Sequence, residues 1–466
     1  MKEAMGKNLV LAAMAVAVLA LRLGAQDIPF NLPGRGFSSL GSVPVSAPAP
    51  VESAAPAPAK TAVPEREWLV MVFINGRNNL APDAVKDVNE MEMVGSTDKV
   101  AVTVEMGLFH DRGNSSRFLI QKDTRFPVSD MVVGDTDSVH IISGGIKVPN
   151  ADMGSWKHFA DFAKWSIKRY PAKKVLAVLW NHGSGRVDIG GPDNSGSELG
   201  ISYDDTTRNF IRNRQVGMAL AEIRRVTGRK VDVYAADACL MQMASVVYEL
   251  KDHTDVVVGS EEIVPNTGLP YNTILQALNS NSETDAEGLG RIIVEKSHDF
   301  YSSPAAQSTL LNTDYGTTVS AIRTSQLGGF VQVLNAWVAE AIHPENAAIL
   351  KSAFSSTFLL EYGKDGPDNG SNARTRDLYD FITLVNSDPA VSPALKTRGQ
   401  ALRNFIVDRL VIANAITGPY PDYVRVKGLA IYFPQMIYDP SYDETRFAAD
   451  SLWDDFVKLL LAREQQ

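Results

Sequence analysis

Cys239 is the only cysteine of the 466-residue chain, and it follows the apolar, strand-like run Val231 to Ala238. His182 occurs in a matching setting, after the run Val175 to Trp180 and within Asn181-His182-Gly183-Ser184-Gly185. A thiolate attacks a carbonyl carbon, and an imidazole moves the protons that attack and expulsion require. Parallel α/β sheets deliver such side chains to one edge, where the strands end. Two such runs lying side by side would set a nucleophile next to a base. On this reading Cys239 is the nucleophile and His182 the general acid/base. The backbone N–H groups of Gly183 and Cys239 are then the oxyanion donors. A helix read from about Leu240 to Leu250 would begin at the thiol, and its N-terminus would lower the thiol pKa. Taken singly, a lone cysteine is more often a buried small hydrophobe and a turn histidine is often bonded to local backbone. The pairing of the two settings favours chemistry.

The surrounding pattern supplies the elements such a pair needs. Trp68 to Ile74 reads as a buried strand, Pro82 to Met93 as a helix, and Val100 to Val104 and Phe118 to Gln121 as further strands. Trp156 to Tyr170 is an amphipathic helix stopped by Pro171, and Val216 to Val226 is another. Asp255 to Ser260 closes the alternation as a strand. Strands alternating with helices imply an α/β fold with a mostly parallel, helix-covered sheet. Beyond residue 300 the strand runs thin out: Ser325 to Ala341, Thr375 to Val385, Ser392 to Ala413 and Ala449 to Leu461 read as helical, and Gly428 to Phe433 as one more buried strand. That strand either belongs to a separate lobe or returns to the main sheet.

The N-terminus bears on where the thiol works. Lys2 and Lys7 precede the apolar run Leu9 to Leu21, which exits through Gly24-Ala25-Gln26. This is the pattern of a secretory signal, residues 1–25, too short for a comfortable membrane span. Export to the periplasm, the cell surface or the medium is expected, with no stable membrane span after cleavage. Residues 26–65 are rich in Pro and Ala and read as an extended linker. Residues 66–300 then form the catalytic domain, and 301–466 a largely helical C-terminal region with a returning strand. Lys and Arg number 45 against 54 Asp and Glu, a formal charge of −9. That balance argues against a nucleic-acid binder and suits cationic substrates.

The segments Asn181-His182-Gly183-Ser184-Gly185 and Asp237-Ala238-Cys239-Leu240-Met241 together resemble the clostripain family of cysteine peptidases. Further blocks agree in order: Trp68 to Val72 with Asn78-Asn79-Leu80, Gly259 to Glu262 with Gly268 to Tyr271, and Gly428 to Pro434. The resemblance implies the fold shared with caspases, legumain and gingipain, a caspase-like three-layer α/β/α sandwich with a C-terminal, largely helical extension. It also implies protein or peptide substrates cut after Arg or Lys, because in the family an aspartate two residues before the nucleophile lines the specificity pocket. The matching residue here is Asp237. Side chains two apart on a strand point the same way, so Asp237 and Cys239 would serve one cleft. The competing reading of Asp237 is a helix cap.

Relatives are often made as zymogens that cut themselves between the histidine and the cysteine. The glycine-rich loop Gly190 to Gly200 is the place for this here, with Arg186 and Arg208 as weak candidates. No cofactor is expected. Calcium has only Asp204-Asp205 and Asp365 to Asn369 to recommend it, and such clusters usually form solvated turns. The sequence has no zinc-peptidase His-Glu-x-x-His, serine elbow or nucleotide loop. A monomer is expected. The rival reading is a catalytically silent secreted or surface binding protein on the same fold.

Overall fold

The run Trp68 to Ile74 forms the middle of β1 (Arg66–Gly76), a strand buried on both faces from Trp68 onward. It is followed by β2 (Val100–Leu108), β3 (Ser115–Leu119), β4 (Gly145–Val148) and β5 (Ala172–Trp180). A short hairpin, β6 (Ile201–Asp204) and β7 (Asn209–Ile211), precedes β8 (Val231–Asp237) and β9 (Thr254–Gly259). The last strands are β10 (Thr317–Arg323), β11 (Thr375–Asp377), β12 (Val411–Thr417) and β13 (Ala430–Tyr432). The computed structural model describes residues 64–125, 141–185, 200–313, 316–360, 375–418, 421–435 and 437–464. They belong to a unit spanning Ala62–Gln466. The expected signal, nearly all of the linker, Arg186, the loop up to residue 199 and Asp365 to Asn369 lie outside the described residues.

Nine strands make one sheet in the order β12-β10-β9-β8-β5-β1-β2-β3-β4. From β9 through β2 every pairing is parallel. The pairings outside that block, two on each side, are antiparallel. The helices that matter for the site are α1 (Ala81–Val94), α2 (Trp156–Arg169), α3 (Asn213–Thr227), α4 (Ala244–Leu250), α5 (Tyr271–Ser280) and α6 (Ala286–Tyr301). Alternate residues of a strand face opposite ways, and the two cores follow that rule. Leu69, Met71 and Phe73 join Phe159 and Phe162 of α2, Leu220 and Ile223 of α3, and Val247 of α4. Trp68, Val70, Val72 and Ile74 join Val88 and Met91 of α1, Leu275 and Leu278 of α5, and Leu289 and Ile293 of α6. The result is the three-layer α/β/α sandwich that the sequence implies. No helix of the described residues is long and apolar enough to cross a membrane.

The C-terminal region departs from expectation in detail. The helix read over Ser392 to Ala413 stops at Phe405, winds through a wide turn at Ile406–Leu410, and continues as β12. The β-branched residues Val411, Ile412 and Ile416 suit a strand better than a helix. It is β10 and β12 that return to the main sheet. The strand read at Gly428 to Phe433 forms as β13 but pairs with β11 in a separate two-stranded sheet. Trp337, Phe381, Phe433 and Trp453 from this region enter the same core as α2, α3 and α4.

Candidate active site

Register decides where the two candidate side chains meet. Strands β5 and β8 pair in parallel with Leu176 opposite Val233 and Trp180 opposite Asp237. The Asn181 N–H continues the ladder by donating to the Asp237 carbonyl at 3.2 Å. Two residues further on, His182 and Cys239 leave neighbouring strand ends in step. Both line one cleft of about 140 Å³, together with Leu80, Trp180, Asp237, Val264 and Pro265.

Close approach of the two strand ends needs a residue without a side chain. A Cβ on Gly183 would lie 2.5 Å from the Cys239 carbonyl oxygen and 2.9 Å from Ala238 Cβ. The backbones of the two expected oxyanion donors therefore pack directly against each other. The loop after β1 fixes the other side of the histidine. Asn181 Nδ2 donates to the Asn75 carbonyl at 2.6 Å, and Asn181 Oδ1 accepts the Tyr203 N–H at 2.8 Å. Asn78 Oδ1 accepts the Leu80 N–H at 3.0 Å, while its Nδ2 donates to the Tyr203 carbonyl at 2.9 Å. Between them Asn79 presents Oδ1 to His182 Nε2 at 2.7 Å. An amide oxygen only accepts, so Nε2 carries the proton in this contact. Beneath the loop, Arg77 and Asp204 form a fully buried ion pair at 2.9 Å. Arg77 also donates to the carbonyls of Ala151 and Asn114.

The expected helix start at the thiol is corrected by the structure. Leu240 has φ of 63°, a left-handed conformation that a continuing helix cannot contain. The Leu240 N–H donates to the Glu262 carbonyl and the Gln242 N–H to the Ser260 carbonyl, so this stretch is tied to the segment after β9. Only at Ala244 does α4 begin, seven residues long and too far along to act on Cys239. The thiol pKa accordingly moves the other way. Burial pushes it up, the Val264 N–H opposes that shift, and Glu262 and Asp237 add to it. That N–H points at Sγ from 3.3 Å. In this form the cysteine is a partly buried thiol whose pKa lies above the ordinary value.

Asp237 is buried at the inner end of the same cleft. Its Oδ2 accepts the Tyr271 hydroxyl at 2.9 Å and the Leu269 N–H at 3.2 Å. Gly268 has φ of 57°, and a Cβ there would meet Asp237 Oδ2 at 2.9 Å. Burial pushes the carboxyl up to about 6, while the Leu269 N–H and Tyr271 hydroxyl pull it down. Asp237 does not cap α4; its hydrogen bonds run instead to Leu269 and to the first residue of α5. Asp204, one of the residues weighed for calcium, is spent on Arg77, the Met153 N–H and the N–H groups of Thr206 and Thr207.

Sequence reasoning missed Asn79 as the partner of His182, Val264 as the hydrogen-bond donor to the thiol, and Tyr271 as the brace of Asp237. The block Asn78-Asn79-Leu80 was visible in the sequence, but nothing in it named a partner 103 positions away.

Known proteins resemble the chain in sequence and in fold. The profile of the clostripain family matches residues 72–458. Clostripain of Hathewaya histolytica is 23% identical over 245 residues, 47% of this chain and 43% of that protein, so the match spans under half of that relative's length. A secreted C11 cysteine protease from Bacteroides thetaiotaomicron, solved with an irreversible peptide inhibitor, superposes with a TM-score of 0.58 at 18% identity, covering 83% of this chain and 99% of that one. An inactive zymogen C11 protease from Parabacteroides distasonis gives 0.56 at 17% identity, covering 83% and 98%. At these identities the two structures speak to the fold.

Proposed function

The chain belongs to the clostripain family, whose profile spans residues 72–458, and on that premise we propose that it is a cysteine endopeptidase cutting after Arg and, less readily, Lys. Cys239 Sγ attacks the scissile carbonyl carbon as His182 takes the thiol proton, and the carbonyl electrons move to oxygen. The N–H groups of Gly183 and Cys239 hold that oxyanion. His182 passes its proton to the leaving amine, leaving an acyl-enzyme, and then draws a proton from the water that hydrolyses it. A buried carboxylate at the inner end of the cleft rewards a guanidinium and penalises neutral side chains.

The observation that carries this reading is the β5–β8 register, through which His182, Cys239 and Asp237 share one cleft. A thiol with a raised pKa, held by the Val264 N–H, suits a resting or precursor form, activated by cleavage between His182 and Cys239, with Arg186 and Arg208 as the nearby basic residues. Its substrates are proteins or peptides carrying basic residues, met outside the cytoplasm after a signal ending near Ala25 is removed. The enzyme acts as a monomer and needs no cofactor. The test is hydrolysis of chromogenic Arg, Lys, Asn and Asp substrates by the processed protein, beside Cys239→Ala and Asp237→Ala. Turnover of Arg substrates that Cys239→Ala abolishes is expected. Folded, processed protein without turnover would instead point to a silent binding protein, and unchanged Arg preference in Asp237→Ala would remove the pocket assignment.

A further inference from the structure

Catalysis uses Asp237 and leaves two buried acids behind it without a role. Asp87 and Glu90 lie one turn apart on α1 and are both buried. Asp87 Oδ2 accepts the Trp180 indole N–H at 2.6 Å. Trp180 is the strand partner of Asp237 and lines the cleft. Glu90 Oε2 accepts the Tyr271 backbone N–H at 3.0 Å, and the hydroxyl of that same tyrosine donates to Asp237. Each acid is thus one side chain removed from the cleft. Apolar residues at both positions would fill α1 without the cost of burying carboxyl groups. Asp87 Oδ1 is buried with no hydrogen-bond partner, a costly arrangement for an ionised group and a milder one for a protonated group. Buried acids whose charges act on one another do not ionise independently.

We infer that Asp87, Glu90 and Asp237 form an electrostatically linked triad of buried acids behind the cleft, joined through Trp180 and Tyr271, which sheds a proton when a cationic side chain docks at Asp237, so that preference for basic residues strengthens as pH rises. The inference rests on Asp237 as the acceptor of the basic side chain. Burial is the leading influence on all three, pushing Asp237 up to about 6, Glu90 to about 8 and Asp87 well above the usual carboxylate range. Lys86 of α1 opposes the shifts of Asp87 and Glu90. Tyr271 and Tyr301, which face the triad from α5 and α6, are held in their protonated forms by burial. His182 also lines the cleft, and Cys239 is absent from the variant tested below. Below pH 5 the triad is protonated and offers a cation little. Asp237 ionises first, and Glu90 adds negative charge near pH 8.

The test is calorimetric binding of two peptides to processed Cys239→Ala protein from pH 5 to 9, one ending in Arg and one in its neutral isostere citrulline. The ratio of their affinities isolates the charge. It is expected to rise about tenfold between pH 5 and 7 and at least about threefold more between pH 7 and 9. Adding Glu90→Gln, which keeps an acceptor for the Tyr271 N–H, removes the second rise. Asp87→Asn, which keeps an acceptor for Trp180, diminishes it and carries the test should Glu90→Gln fail to fold. A ratio flat above pH 7 in the parent, or a second rise that survives the substitutions, overturns the triad. A ratio near one at every pH overturns the role of Asp237 instead.

Discussion

Asn79 Oδ1 accepts a hydrogen bond from His182 Nε2 at 2.7 Å, across 103 positions of sequence. The contact favours the tautomer protonated at Nε2, and on the proposed mechanism Nδ1 is then the nitrogen that would exchange a proton with sulfur. Removing it takes away one contact that orients the imidazole and favours this tautomer. General acid–base catalysis contributes about 10²–10⁴-fold, and an orienting partner carries part of that. Asn79→Ala is expected to lower kcat about tenfold to a hundredfold with little change in KM. Steady-state kinetics on an Arg substrate decides it, and a loss confined to KM would make Asn79 a substrate contact.

Thiol chemistry provides a second check. Burial raises the Cys239 pKa, and the Val264 N–H offsets this only in part. Alkylation of the unprocessed protein by iodoacetamide should therefore be slow at neutral pH and climb into the alkaline range above that of an ordinary cysteine. A rate already level below pH 7 would mean that the thiolate is preformed. Processing that moves the segment Ile263 to Asn266 off the sulfur should shift the profile to lower pH.

How far the sequence reached depends on the range of the interaction concerned. Apolar runs in step with helical periodicity predict β1, β5, β8, α2 and α3 because burial on a sheet face is written locally. Strand β10 escaped because Thr317, Thr318 and Ser320 look like loop residues. They are buried there by hydrogen bonds made elsewhere: the Thr318 hydroxyl accepts the Glu261 N–H, and the Ser320 hydroxyl donates to the Gly428 carbonyl. The start of α4 was misread for a related reason. Helical spacing continues back to Leu240, but the backbone from Leu240 to Met243 is tied to Ser260, Glu262 and Ala430. His182 and Cys239 were legible as a pair because each follows its own strand, whereas Asn79 is defined only by the loop that folds over them.

The contact between strand ends predicts an effect of a single methyl group. In Gly183→Ala the new Cβ would lie 2.5 Å from a backbone oxygen of Cys239, which has no flexible end to move aside. Overpacking of this kind costs about 1–3 kcal/mol. Here it also parts the two N–H groups proposed as oxyanion donors, so kcat should fall by more than the loss of stability explains. Urea denaturation and kcat measured on the same preparation separate the two effects.

The buried pair Arg77–Asp204 anchors the loop that carries Asn79. Arg77→Ala strands a carboxylate that is wholly shielded from water, and about 3–5 kcal/mol of stability should be lost. Asp204→Asn should cost less, because the amide oxygen still accepts from Arg77. Denaturant unfolding of both variants tests the order, and a loss in Asp204→Asn equal to that in Arg77→Ala would show that the charge of Asp204, not merely its acceptor oxygen, is essential.

Stability should also depend on pH in a direction set by Glu90. Its folded-state pKa, about 8, lies above the ordinary 4.5, chiefly through burial. The unfolded chain therefore gives up this proton first, and the folded state binds more protons throughout the window from pH 4.5 to 8. Where the folded state holds the extra proton, stability falls as pH rises. Asp237 and Asp377, each raised to about 6 mainly by burial, act in the same sense between pH 4 and 6. Glu90→Gln removes one such group while keeping an acceptor for the Tyr271 N–H. The difference in Tm between Glu90→Gln and the parent should be small at pH 4.5 and grow in favour of the variant up to pH 8. A difference that stays constant across that range, followed by differential scanning calorimetry, would mean that Glu90 is ionised in the folded protein throughout and that its burial is compensated by a cation.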